Sequence, residues 1–255
     1  MEIRVGTSGY SFDDWVGTFY PKDIKKGKML DYYVNHFNVV EINSTYYRIP
    51  HPVVMANIEK KTQKDFEFII KAPQQMTHKR KDVETSIDEF KECLKPIEDA
   101  GKLKGILAQF PYSFKFSENG LEYLKTCREL LNPHDLYVEF RHNGWVNRQM
   151  YDHLCEGEIG YVAIDEPQLP GLLKPDCFNT TKTGYIRLHG RNADKWWDGG
   201  ALRYDYNYSQ EQLMEWKGKI DKLRGKTDKL FIFFNNCHLG QAVKNALDMK
   251  LLLGI

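Results

Sequence analysis

The chain has 255 residues, with 36 Lys and Arg against 35 Asp and Glu, giving a formal net charge of +1. That length suits one large domain, and the charge balance excludes both a global basic field for nucleic acid and an acidic, solvated composition. Five cysteines without CxxC spacing, apolar runs well short of the ~20 residues of a membrane helix, and a start, "MEIRVGTSGY", without a basic-then-apolar region predict a reduced, cytoplasmic protein with no membrane span.

Taken in chain order, eight short runs rich in β-branched and aromatic residues end in polar groups, and most are followed by a helical pattern. "IRVGTSG" leads to "MLDYYVNHF", and "VVEINST" to "PVVMANIEKKT". "FEFIIKAP" leads to "SIDEFKECLKPIEDA", "KGILAQFP" to "NGLEYLKTCRELL", and "LYVEFRH" to "NRQMYDHLCE". "GYVAIDEP" is followed by residues 166–182, which hold three prolines and no helical pattern. "GYIRLHGR" leads to "SQEQLMEWKGKIDKL", and "LFIFFNNCH" to "QAVKNALDMKLLL". The strand ends, marked by Gly9, Asn43, Ala72, Gln109, Phe140, Asp165, His189 and Asn235, fall 24 to 46 residues apart. Eight alternating units predict a (β/α)8 TIM barrel over residues 1–255 as a single domain, with one helix degenerate or missing. A dinucleotide-binding open sheet is discounted, because "GTSG" lacks the GxGxxG spacing that seats a pyrophosphate on a helix N-terminus.

Seven ordered motifs carry a family resemblance: "VGTSGYSFDDWVGTFYP", "VEINSTYYRIP", "KAPQQMTH", "QFPYSF", "VEFRHNGW", "RLHGRN" and "FNNCHLGQAVKNA". In order and over nearly the whole chain they resemble the YecE-like family, a domain of unknown function numbered seventy-two. The resemblance implies a TIM-barrel fold, in agreement with the independent count of eight strands. It locates a site and leaves the reaction open.

Barrel enzymes place reacting groups at the C-terminal ends of the strands and on the loops that follow. Sorting the chain this way collects Thr7, Ser8 and Tyr10 from the first strand, Glu41 and Asn43 from the second, and Lys71 from the third. Gln109, Glu139 with Arg141, Asp165, Arg187 with His189, and Asn235 with Asn236 and His238 come from the remaining five. Residues two apart share a strand face, so Glu41 with Asn43, Glu139 with Arg141, and Arg187 with His189 are expected to enter the mouth together. Such a ring of charges is either a self-compensating network or a ligand site. Glu41, Glu139 and His189 are the candidate proton carriers. Arg141, His189 and Arg191 suit an anion, and Lys71 either snorkels or binds one. Gln109, Asn235 and Asn236 suit hydroxyls or amides, and Ser8, Asn43 and His238 join them as candidate substrate-binding residues. Tyr10, Tyr46 and Trp145 offer aromatic faces for a sugar or base, or simply fill gaps between loops. Asp165 either joins the site or caps a loop. Residues 191–209, rich in Trp, Tyr and Gly, form a long insertion expected to act as a lid. Cys237 abuts His238, but neighbours on a strand point to opposite faces, which favours a small buried residue over a nucleophile.

Three functions fit this pattern. The first is a hydrolase or lyase acting on a phosphorylated or polyhydroxylated small molecule. The second is metal-assisted phosphodiester or endonuclease-like chemistry, with one Mg2+ or Mn2+ held by Glu41, Glu139, Asp165 and His189. The third is a non-enzymatic binder of a nucleic acid or anion, for which "KAPQQMTHKRKD" supplies basic residues beside aromatics. The anionic partner is expected to be a small molecule or nucleotide-like, and oligomeric state is left open.

Overall fold

The computed structural model describes residues 1–255. Eight parallel strands run in the order of the sequence reading: β1 (Glu2–Thr7), β2 (Val39–Ile42), β3 (Glu67–Lys71), β4 (Leu103–Gln109), β5 (Leu136–Glu139), β6 (Ile159–Asp165), β7 (Thr183–Leu188) and β8 (Lys229–Phe234). Every strand from β2 to β8 pairs with its sequence neighbour, and β8 pairs in turn with β1. The last seam, β1 to β2, closes through a bridge between Ser8 and Glu41, with the Gly9 N–H donating to the Glu41 carbonyl at 2.8 Å. Gly6 permits that approach, because a Cβ there would lie 2.5 Å from the Val39 carbonyl oxygen. This is the (β/α)8 barrel expected from the alternating pattern.

The outer layer comprises α1 (Met29–Tyr33), α2 (Ser44–Tyr47), α3 (Pro52–Glu59), α4 (Val83–Asp99), α5 (Glu118–Leu131), α6 (Arg148–Glu156), α7 (Gln210–Asp221) and α8 (Gln241–Leu253). Their starts are written in the sequence. Ser117 accepts from the Gly120 N–H, Asn147 accepts from the Met150 N–H, and Ser209 with Gln212 forms a reciprocal capping box. No helix follows β6. Pro167, Pro170 and Pro175 deny 166–182 a continuous ladder, and Phe178 covers the strand instead, stacked on Tyr161 at 4.2 Å. The first helix is also shorter than its pattern suggested, ending at Tyr33.

Tyr137, Tyr185, Phe231 and Phe233 meet edge to face or stacked inside the barrel. At the N-terminal end of the strands, Arg4 and Lys229 pair with Glu67 and Glu2 and plug the barrel with charge. The mouth at the opposite end is therefore the open one. No helix is long and apolar enough to cross a membrane.

Candidate functional site at the barrel mouth

Strand alternation delivers Glu41 of β2, Glu139 of β5 and Arg187 of β7 to one buried layer. Arg187 Nε and Nη2 grip both oxygens of Glu41 at 2.8 and 2.7 Å, while its Nη1 donates to Glu139 Oε2 at 2.5 Å. The Tyr185 hydroxyl also donates to Glu41. Arg141 Nε donates to the other oxygen of Glu139 at 2.5 Å and reaches Glu166 Oε2 at 3.2 Å. One guanidinium therefore bridges two carboxylates, and a second guanidinium continues the chain. Burial would raise Glu139, but Arg141 and Arg187 outweigh it and hold its carboxyl well below the usual range. Glu41 is likewise buried yet lowered by Arg187. Both stay ionised and paired, which removes them as proton donors near neutrality.

His189 sits directly above this layer, fully buried. Burial, then repulsion by Arg141, pushes its imidazole down to about 3, so the ring is neutral. Its Nε2 lies 3.2 Å from Glu139 Oε1 and its Nδ1 lies 2.9 Å from the Asn235 amide nitrogen. A proton on Nε2 donates to Glu139 while Nδ1 accepts from Asn235, and the Arg141 Nη2 donor, 3.1 Å from Nε2, then finds no acceptor there. Asn43 donates to Glu41 Oε1 at 2.9 Å. The buried Ser8 Oγ and Asn43 Oδ1 have no hydrogen-bond partner within the chain.

Above the network opens a cleft of about 280 Å³, and Lys71, Gln109, Arg141, Glu166 and Arg203 supply its charged and amide lining. Tyr46, Tyr47, Tyr112, Trp196, Trp197 and Tyr204 form its aromatic walls. Lys71 Nζ donates to Gln109 Oε1 at 2.9 Å and stands 4.5 Å from the Tyr46 ring centre, with no carboxylate in contact. Burial, reinforced by Arg187, brings it down to about 7. Glu166 is the cleft's one carboxylate. It accepts from the Leu173 N–H at 3.0 Å and from Arg141, yet burial pushes it up to about 7. His78, edge-on to Tyr46, is lowered to about 4 by burial and then by Lys71.

Four residues of the insertion after β7, Trp196, Trp197, Arg203 and Tyr204, line the cleft. Residues 191–209 fold back over the cleft, the Asn192 amide donates to the Leu202 and Asp205 carbonyls, and a short 3-10 turn spans Gly200–Tyr204. Trp196 is buried with its ring 5.7 Å from the Arg141 guanidinium, whereas Trp197 is 54% exposed and meets Tyr112 edge to face.

Several residues singled out in the sequence lie elsewhere. Asp165 faces the helix layer rather than the mouth, where both of its oxygens accept from Arg191 Nε at 3.0 and 2.9 Å beside Tyr208 and Trp216. Arg191 is spent on this pair and on Glu215 at 3.3 Å. Asn236, also outward, donates to Tyr206 and Asn245 and ties α8 to the lid. Trp145 is entirely buried, stacked on Phe140 at 4.2 Å with its indole donating to the Phe114 carbonyl. Tyr10 packs beside Tyr33, and His238 lies at the rim 3.7 Å from Asp205. Cys237 is half-buried, its thiol raised by burial and directed to the Ser8 carbonyl. The expected metal ligands do not converge: Asp165 points away, Glu41 and Glu139 are filled by guanidinium groups, and nowhere do three His, Cys, Asp or Glu side chains gather as a metal site.

The sequence reading passed over Glu166 and Arg203. For Glu166 the missing signal is phase. All seven residues of β6 are buried, so no polar and apolar alternation shows which of Asp165 and Glu166 faces inward.

Comparison with known proteins places this architecture. The chain is 32% identical to the UPF0759 protein YunF of Bacillus subtilis (strain 168), over 99% of this chain and 95% of YunF. It is 38% identical over 60 residues to YecE of Escherichia coli (strain K12), covering 23% of this chain and 22% of YecE. Among solved structures it is similar to a DUF72 family protein of Thermotoga maritima MSB8, with a TM-score of 0.93 and 39% identity over the whole of both chains. A DUF72 family protein of Enterococcus faecalis V583 gives a TM-score of 0.89 at 26% identity, over 99% of this chain and 96% of that one. A family model described as protein of unknown function DUF72 matches residues 4–255, and the chain belongs to that family.

Proposed function

We propose that this protein is an enzyme, a hydrolase or lyase, acting on a small phosphorylated or polyhydroxylated ligand in the mouth cleft. One observation carries the reading: Lys71, Arg141 and Arg203 converge on the cleft against a single carboxylate, under aromatic walls. Lys71 and Arg203 form no salt bridge, so an anionic group would complete them. The aromatic faces would cover a sugar ring or other apolar face. Glu166, drawn to about 7 by burial, is divided between its acid and its base form at neutral pH, as acid–base catalysis asks. In this reading Glu41, Glu139 and Arg187 are the rigid floor, and His189 is a neutral positioning residue. Ser8 and Asn43 belong to this floor beside Glu41 and do not line the cleft.

The test is titration with inorganic phosphate, followed by tryptophan fluorescence, then a turnover screen of phosphorylated sugars and nucleotides. Saturable binding is expected, weakened about tenfold by Arg203→Met, the loss of one charge-assisted hydrogen bond. Turnover is expected to collapse in Glu166→Gln. No saturable phosphate binding to the unaltered protein would overturn the proposal. The basic stretch Lys79–Lys81 lends no support to a nucleic-acid reading centred on this cleft, since the Arg80 guanidinium turns onto the Phe114 ring 5.1 Å away.

A further inference from the structure

We infer that Lys71 is a nucleophile that forms a Schiff base with an aldehyde or ketone carrying an anionic group. The inference rests on the proposed anion cleft and names the chemistry performed there. The geometry sets Lys71 apart from Arg141 in that cleft. Arg141 is paired with Glu139 and Glu166, whereas the Lys71 amine touches only a neutral amide oxygen, at 2.9 Å, and the face of Tyr46. It stands at the C-terminal end of β3, on a rigid strand, and opens on the same cleft as Arg141, Arg203 and Glu166. A lysine held as a structural cation would have a carboxylate partner, as buried Lys102 has in Glu59 at 2.7 Å. Desolvation of the ammonium and the positive field of Arg187 and Arg141 favour the free amine, against the opposing pull of Glu139 and Glu41. His78 and Glu166 are the one histidine and the one carboxylate of the cleft lining.

The step balances without an outside reagent. The lone pair of the neutral amine attacks the carbonyl carbon, and Glu166 in its acid form delivers a proton to the developing alkoxide. The nitrogen proton of the carbinolamine passes to the Glu166 carboxylate or to solvent. Water then leaves after protonation of its oxygen, giving the protonated imine. Arg141 and Arg203 hold the anionic end of the ligand throughout. The imine withdraws electrons from the adjacent carbon, the activation that an elimination or carbon–carbon cleavage requires.

The experiment uses the unaltered protein with dihydroxyacetone phosphate as probe and sodium borohydride as trap, read by intact mass and peptide mapping. At pH 7 an amine near 7 has about a thousandfold greater free fraction than a surface lysine near 10.5. One adduct per chain, at Lys71, is therefore expected, at least about tenfold above any other lysine and suppressed by inorganic phosphate. Dihydroxyacetone, which lacks the anion, should label it far less. Phosphate binding with adducts scattered over surface lysines, or with Lys71 unmodified, would overturn the Schiff base while leaving the anion cleft intact. Absence of both phosphate binding and Lys71 labelling would overturn the two together.

Discussion

Arg187 is the residue on which the barrel floor depends. Its guanidinium compensates two fully buried carboxylates, Glu41 and Glu139, and removing one partner of such a group strands charge in a low-dielectric interior. Arg187→Met is expected to cost about 3–5 kcal/mol or to prevent folding, as urea denaturation would show. Glu166→Gln is a different case. The neutral amide mimics the protonated carboxyl that burial favours, so stability should change by less than about 1 kcal/mol while any turnover is lost. A stable Glu166→Gln variant with undiminished turnover would remove Glu166 from the chemistry. The contrast separates a group that is ionised because it is paired from one that is buried close to its own titration point.

The element most exposed to test is the lid, residues 191–209. Gly190 enters it at φ +92, and a Cβ there would lie 2.6 Å from Tyr206 Cβ. Gly190→Ala should therefore cost more than about 1 kcal/mol and displace the lid, through strain and collision together. Trp197 is half exposed, so Trp197→Ala should leave thermal stability nearly unchanged and weaken ligand binding, which a paired melt and phosphate titration would resolve. That this insertion reaches the mouth was legible from its length and its Trp, Tyr and Gly content. Which of its residues reach the cleft was not, because an irregular loop has no period from which a facing side can be read. The helix-free stretch after β6 was legible for the opposite reason: three prolines act locally and forbid a helix wherever they fall.

For the whole molecule, the buried mouth predicts an acid-sensitive fold. His189 is held at about 3 against an ordinary 6.5, so between those values the unfolded chain binds the extra proton and stability falls as pH is lowered. Glu139 and Glu41, depressed by their arginines, add to the loss below about 4.5. Glu166, raised to about 7 from 4.5, works in the other direction across that interval. Replacing His189 by Gln should therefore flatten the dependence of unfolding free energy on pH between 4.5 and 6.5 by up to about 1.4 kcal/mol per pH unit, measured by urea titration at each pH. An unchanged slope would mean that the imidazole is protonated in the folded protein. The sequence by itself determined the eight strands and the break in the helix pattern after the sixth, the mouth as the place where polar strand ends collect, and the pairing of Glu139 with Arg141, because these depend on local periodicity and on residues two apart on one strand. Only the tertiary structure decided that Glu166 and not Asp165 turns inward, that Arg191 and Asn236 serve the outer layer, and that Trp145 is core. Those outcomes depend on the phase of a wholly buried strand and on partners from distant strands and loops, neither of which leaves a period in the chain.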